Sequence, residues 1–392
     1  MEKIKELAEQ DKQYISDLRK QIHSHAEISL KEFETTKLIA DELLKCGIEV
    51  KTWEGETGVL GVLKGKYPGK VLALRADIDA LPLVEQSGLS FKSQNPGAAH
   101  CCGHDIHTSV LIGAARVLSD MKNQLHGTIK FVFQPAEEGL GGAKLMIERK
   151  VLENPKPDAI IALHTWPDIP GGTVGYRFGS FMASSDTVDI KFIGRAGHAA
   201  HPHKSIDPLV AVSTFVNAVQ TIVSRETAPT DPLVITFGKI YGGTKRNIIA
   251  GDVTLEGTVR TSNKETQDKM PEIMTRLASN IAAAYRCTAE VSYFKEDPPV
   301  VNNDELNELV VTASKEILGE ENVIALKTMS MGSEDFSYYM EKVPGCLYRL
   351  GTNNDDPKSH LPLHNPGIIF DEKALITGVK AMSAIAFKFL NR

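Results

Sequence analysis

Apolar residues recur at three- and four-residue spacing through 3–22 and 31–45, which predicts two amphipathic helices, the second stopped by Gly47. Short apolar runs follow at Val59–Leu63, Val71–Leu74, Thr128–Phe133 and Ala159–Leu163. Helical periodicity near 107–121 and 142–149 alternates with them. Strands covered on both faces lose the polar alternation of half-exposed ones, so this order predicts an α/β layered domain around a mostly buried sheet.

The texture changes near Ser184. Thr187–Phe192 alternates polar and apolar residues, as a strand with one wet face does. A helical stretch (Pro208–Ser224), two strands (Val234–Ile240, Val253–Arg260), a second helix (Lys264–Tyr285) and a last strand (Thr288–Phe294) complete the block. The order β-α-β-β-α-β is that of a ferredoxin-like α+β sandwich. Helix Asp304–Leu318, strand Gly345–Leu350 and helix Glu372–Leu390 then return to the first pattern. The expected organisation is an α/β domain over 1–183 and 298–392, with 184–297 inserted into it.

Composition narrows the class. A chain of 392 residues exceeds what one core organises, so two domains are expected. The net charge of −6 without a basic stripe argues against nucleic-acid or membrane-surface partners. No apolar run is long enough to span a bilayer. The charged start Met1-Glu2-Lys3-Ile4-Lys5-Glu6 has no apolar signal core. Five cysteines, at 46, 101, 102, 287 and 346, suit thiols available as ligands better than a disulfide framework, so a cytoplasmic protein is expected.

The candidate chemistry sits at element ends. Cys102-Gly103-His104 precedes a helix expected to begin at His107-Thr108, where a thiolate is favoured. Alone, such a pair is commonly packing. Glu137-Glu138 follows Pro135 at the end of an apolar strand, although an isolated Glu-Glu is by default a solvated loop. His164 ends another apolar run, where open α/β sheets place ligands. His360 and His364 lie in a Pro-rich loop before the last helix. Sulfur, imidazole and carboxylate together favour zinc or a neighbouring first-row ion over magnesium or calcium.

With these residues the chain resembles the M20 metallopeptidases, and most of all their amidohydrolase branch of aminoacylases, hippurate hydrolases and N-acetyl-diaminopimelate deacetylases. The markers run nearly end to end: Arg75–Pro82, His100–Thr108, Gln134–Gly139, Gly197–Ala200, Gly257–Arg260 and Ser333–Phe336. The resemblance implies a mixed sheet flanked by helices with an inserted ferredoxin-like lid and dimerisation domain. It implies two divalent ions (Zn, Mn, Co or Ni) held by Cys102, His104, Glu138, His164 and His364, with Cys102 bridging. Glu137 matches the general base and Asp79 an aspartate that orients the site. His198 matches a donor supplied across a homodimer. Asn247 and Arg260 match positions that hold the substrate carboxylate, and Gly332 and Ser333 further substrate contacts. Two positions depart from the pattern. Cys101 replaces a small Ala, so two thiols compete for the metal, and Ala250 replaces a Pro.

The expected reaction is hydrolysis of N-acyl amino acids. A dipeptidase or carboxypeptidase on the same machinery is the alternative. A silent metal-binding protein is disfavoured because every ligand and the base are present. A cysteine-nucleophile hydrolase built on Cys102 and His104 would survive chelation and die with iodoacetamide.

Overall fold

An eight-stranded mixed sheet forms the centre of the first of two units in the computed structural model, which describes residues 1–392. That unit comprises Met1–Gly179, Asn302–Thr328 and Tyr338–Arg392. Its strands run in the order Glu49–Lys51, Val59–Lys64, His126–Gln134, Tyr67–Asp77, Ala159–Pro170, Gly345–Asn353, Val174–Tyr176 and Val323–Ala325. The four central strands are mutually parallel, so their carboxyl ends share one edge. Val71–Leu74 reads as a continuous apolar run because both faces of its strand are covered: Leu72 to Asp77 are all buried, Arg75 and Asp77 among them.

Helices flank this sheet. Lys12–Ser24, His104–Asp120, Asp304–Leu318 and Lys373–Leu390 contribute Ile15, Val110, Ile112, Val310 and Val379 to one core. Close helix approach depends on small residues. A Cβ on Gly113 would lie 2.6 Å from Val379 Cγ2, and one on Gly378 would lie 2.7 Å from Val110 Cγ2. The first predicted helix is two, Glu2–Gln10 and Lys12–Ser24, broken at Asp11. The helix after the Cys-Gly-His triplet begins at His104, three residues before the expected start, because Gly103 (φ 87°) makes the turn as its N-cap residue.

The second unit comprises Ser180–Val301 and Met329–Ser337. Its antiparallel sheet has the order Leu233–Gly242, Asp252–Thr261, Asp186–Ile193, Thr288–Lys295. Helices Pro208–Ala218 and Lys264–Ala284 cover one face, where Val188, Ile190, Phe192, Phe215, Leu255 and Met274 form a separate core. Met329–Ser337, expected in the α/β part, joins this unit through backbone pairing: Ala183 N donates to Ser330 O at 3.0 Å, and Ser330 N to Phe181 O at 3.0 Å. No helix is long and apolar enough to cross a membrane.

Candidate metal centre

The parallel strands of the first unit deliver Asp77 and Asp79 from one chain segment and Glu137 and Glu138 from the next. The strand carrying His164 continues to Pro170, past the end expected at Leu163. Cys102 and His104 arrive on the turn that starts helix His104–Asp120, and His364 on the loop before the last helix. Cys102 Sγ lies 3.5 Å from His164 Nε2. Glu138 Oε1 lies 3.9 Å from His104 Nε2 and 3.4 Å from His364 Nε2. Cys102, His104 and His164 form one group of potential ligand atoms, and Cys102, Glu138 and His364 another.

The imidazoles are turned for metal. His104 Nδ1 donates to the Asp79 carbonyl at 2.8 Å, and His164 Nδ1 to the Thr165 carbonyl at 2.7 Å. A carbonyl only accepts, so both Nδ1 atoms carry protons and each Nε2 is left with a lone pair in the neutral ring. His104 Nε2 is buried and has no hydrogen-bond partner. Hydrogen bonds to Cys102 and Glu138 push His364 up to about 10. Burial opposes a charged His104, yet Asp77 and Cys102 lift it well above the usual imidazole range. Burial pushes the third imidazole, His164, well below that range, and the carboxylates of Asp77 and Glu138 supply the negative charge that a divalent ion needs. Residues, orientations and charge therefore fit a metal.

A second layer holds these ligands. Asp79 Oδ1 accepts from Glu137 N at 3.1 Å and Asp79 Oδ2 from Glu138 N at 3.1 Å, and Ser29 Oγ donates to Oδ2 at 2.6 Å. Sequence reading missed the next chain of contacts. Arg75 Nη1 donates to Asp77 Oδ2 at 2.6 Å, and His107 Nδ1 donates to Asp77 Oδ1 at 2.5 Å. His107 Nε2 then accepts from Thr165 N at 2.8 Å, and Thr165 Oγ1 donates to Cys102 O at 2.6 Å. The turn bearing Cys102 and the strand bearing His164 are thus tied through one buried array. Its signals in the sequence were an Asp closing an apolar strand and a His one helical turn after His104. Neither says what it faces.

Cys101 is in neither ligand group. It packs in the apolar core, where burial pushes its thiol up to about 12. Glu137 lies close to His104 and Glu138. In the second unit His198 pairs with Ile248, and Ala199 N donates to Asn247 O at 3.1 Å, so His198 and Asn247 are neighbours. Arg260 lies on strand Asp252–Thr261, its Nη1 donating to Thr258 Oγ1 and, at 3.2 Å, to Val259 O. Gly332 and Ser333 lie on the Met329–Ser337 segment.

Residues 73–388 match the profile of peptidase family M20/M25/M40. The chain belongs to that family. Among M20 relatives, an N-acetylcysteine deacetylase of Bacillus subtilis is 39% identical over 94% of this chain and 95% of its own. A thermostable carboxypeptidase of Saccharolobus solfataricus is 38% identical over 100% of this chain and 99% of its own. A Bacillus subtilis protein solved as a dinuclear metal-binding peptidase of the M20 family superposes with a TM-score of 0.85, at 35% identity over 98% of this chain and 99% of that one. The chain is an M20 hydrolase of the amidohydrolase branch, acting on amide bonds.

Proposed function

We propose that this M20 amidohydrolase cleaves N-acyl amino acids to a carboxylate and a free amino acid. The observation that carries the reading is the convergence of one thiol, three imidazoles and Glu138 beside a further carboxylate, Glu137. Two divalent ions held by Cys102, His104, Glu138, His164 and His364 would lower the pKa of a water towards ~7 and polarise the substrate carbonyl. Cys102 is common to both donor groups, which supports a bridging role.

Glu137 accepts the proton of the attacking water and delivers it to the departing amine nitrogen. Asp79 steadies Glu137 and Glu138 through their backbone N–H groups. His198 supplies a donor to the oxygen that becomes negative. Ala200 N donates to its Nδ1 at 3.0 Å, so the neutral ring carries its proton on Nε2, and such a donor is worth roughly 3–4 kcal/mol. Arg260 and Asn247 receive the substrate's free carboxylate, Arg260 through two parallel hydrogen bonds, and Gly332 and Ser333 line the same substrate.

The second unit serves as lid and dimerisation domain, and His198 acts in the site of a second copy. Its edge strand Leu233–Gly242 leaves Val234, Ile240 and Tyr241 exposed, which suits pairing with another chain.

The test is a panel of N-acetyl and N-benzoyl amino acids offered to ion-stripped enzyme reconstituted with Zn, Mn, Co or Ni. Turnover should need an ion and survive iodoacetamide better than EDTA. Glu137→Gln should bind the ions normally and lose turnover by about 10³-fold or more; near-normal activity removes Glu137 from its role. Peptide hydrolysis at a free C-terminus is the second reading, favoured by the carboxypeptidase relatives, and dipeptides in the same panel decide between the two.

A further inference from the structure

Ala136 sets the direction in which the chain presents Glu137 and Glu138, and its backbone is left-handed, with φ 57°. Glycine adopts that conformation without strain, but a residue with a Cβ persists there only when its surroundings hold it. Two attachments hold Ala136. Its carbonyl accepts from Gly142 N at 3.0 Å, in a turn so tight that a Cβ on Gly142 would lie 1.7 Å from Pro135 O. Its N–H donates to Glu32 Oε1 at 3.0 Å.

Glu32 is fully buried and stands just before helix Phe33–Lys45, where its own carbonyl accepts from Thr36 N at 2.9 Å. The carboxylate is therefore anchored to an element remote in sequence from the turn it grips. Burial raises its carboxyl to about 7. A group kept at a cost to folding points to a task other than stability. Together Glu32 and Asp79 accept the backbone N–H groups of three consecutive residues, Ala136, Glu137 and Glu138. Asp79 also touches Ser29 and His104, so it serves the ligands as well. Glu32 touches none of the proposed ligands: it accepts from the Ala136 N–H just before the base, and its other side-chain partner is Thr57.

We propose that Glu32 is a positioning residue for Glu137: it holds the Ala136 N–H so that the left-handed turn points the general base at the reacting water. The proposal rests on the reading of Glu137 given above. It predicts a loss in the chemical step and none in ion binding. Glu32→Ala should lower kcat roughly 10- to 100-fold, as small misplacements of a catalytic group do, with KM unchanged within about twofold. Ion stoichiometry by plasma mass spectrometry should stay at the wild-type value. Glu32→Gln keeps an oxygen acceptor and should hold kcat within about threefold. Ala136→Gly removes the strain that Glu32 restrains, so adding it to Glu32→Ala should recover at least several-fold in kcat.

Wild-type kcat in Glu32→Ala overturns the proposal. So does a double variant no better than Glu32→Ala, or ion content that falls in step with kcat. If Glu32→Ala does not fold, Glu32→Asp, which withdraws the oxygen by one methylene, is held to the same expectations. Glu137→Gln run in parallel separates the two ideas: an active Glu137→Gln sinks the base assignment, whereas an inactive one beside a normal Glu32→Ala sinks only the role of Glu32.

Discussion

Two adjacent thiols, Cys101 and Cys102, differ in everything but composition. Cys102 faces the imidazoles of His164 and His104, while Cys101 lies among core side chains with its thiol pushed up to about 12. Successive side chains of a turn point apart, so one residue of the pair meets the site and the other the core. Cys102→Ser should therefore weaken ion binding by at least ~10-fold, since a hydroxyl is a far poorer ligand for borderline-soft ions. Cys101→Ala should leave affinity near wild type. Calorimetric titration of stripped protein checks both, and equal losses in the two variants would mean that the thiols share the ion.

At the scale of elements, a buried charge network fastens helix Lys12–Ser24 to helix His104–Asp120, which carries His104. Arg19 Nε donates to Asp105 Oδ2 at 2.9 Å, and His23 bridges Asp105 at 2.9 Å and Glu85 at 3.1 Å. Burial opposes a charged His23, but Asp105 and Glu85 outweigh it and raise the imidazole to about 9. The rise from the usual 6.5 to about 9 corresponds to about 3 kcal/mol. Its sign follows from proton binding. Between those values the folded chain holds a proton that the unfolded chain has lost, so stability is full below about 6.5 and declines as pH rises through 9. Urea midpoints measured from pH 6 to 9.5 should show that decline. Glu85→Gln should end it at lower pH, and a flat profile in the wild type would mean that His23 is neutral in the fold.

At the scale of the whole molecule, the proposal that Glu137 and His198 act in different copies predicts that variants of the two complement each other. Glu137→Gln and His198→Ala should each be nearly inactive. Mixed under subunit exchange they should regain roughly a quarter of wild-type turnover, because half of the dimers are mixed and each mixed dimer has one intact site. Light scattering should show the dimer. Inactivity of the mixture despite exchange would place His198 in its own chain's site or outside the reaction.

The linear pattern was sufficient for most of the elements. Buried strands read as apolar runs and the antiparallel block as alternation, because each period reports which faces are covered. Helix Asp304–Leu318 lies where its spacing put it. Cys102, His104, Glu137, Glu138, His164 and His364 stood out only in combination with the family markers, since each alone reads as packing or as a solvated loop, and the fold brings their side chains together. Only the folded chain decided which thiol meets the imidazoles, that Asp77, His107 and Thr165 join the Cys102 turn to the His164 strand, and that Glu32 grips the turn before Glu137. Periodicity records whether a side chain is covered. Which partner covers it depends on segments that can lie more than two hundred residues apart, as His364 and Cys102 do, and their meeting is set by packing.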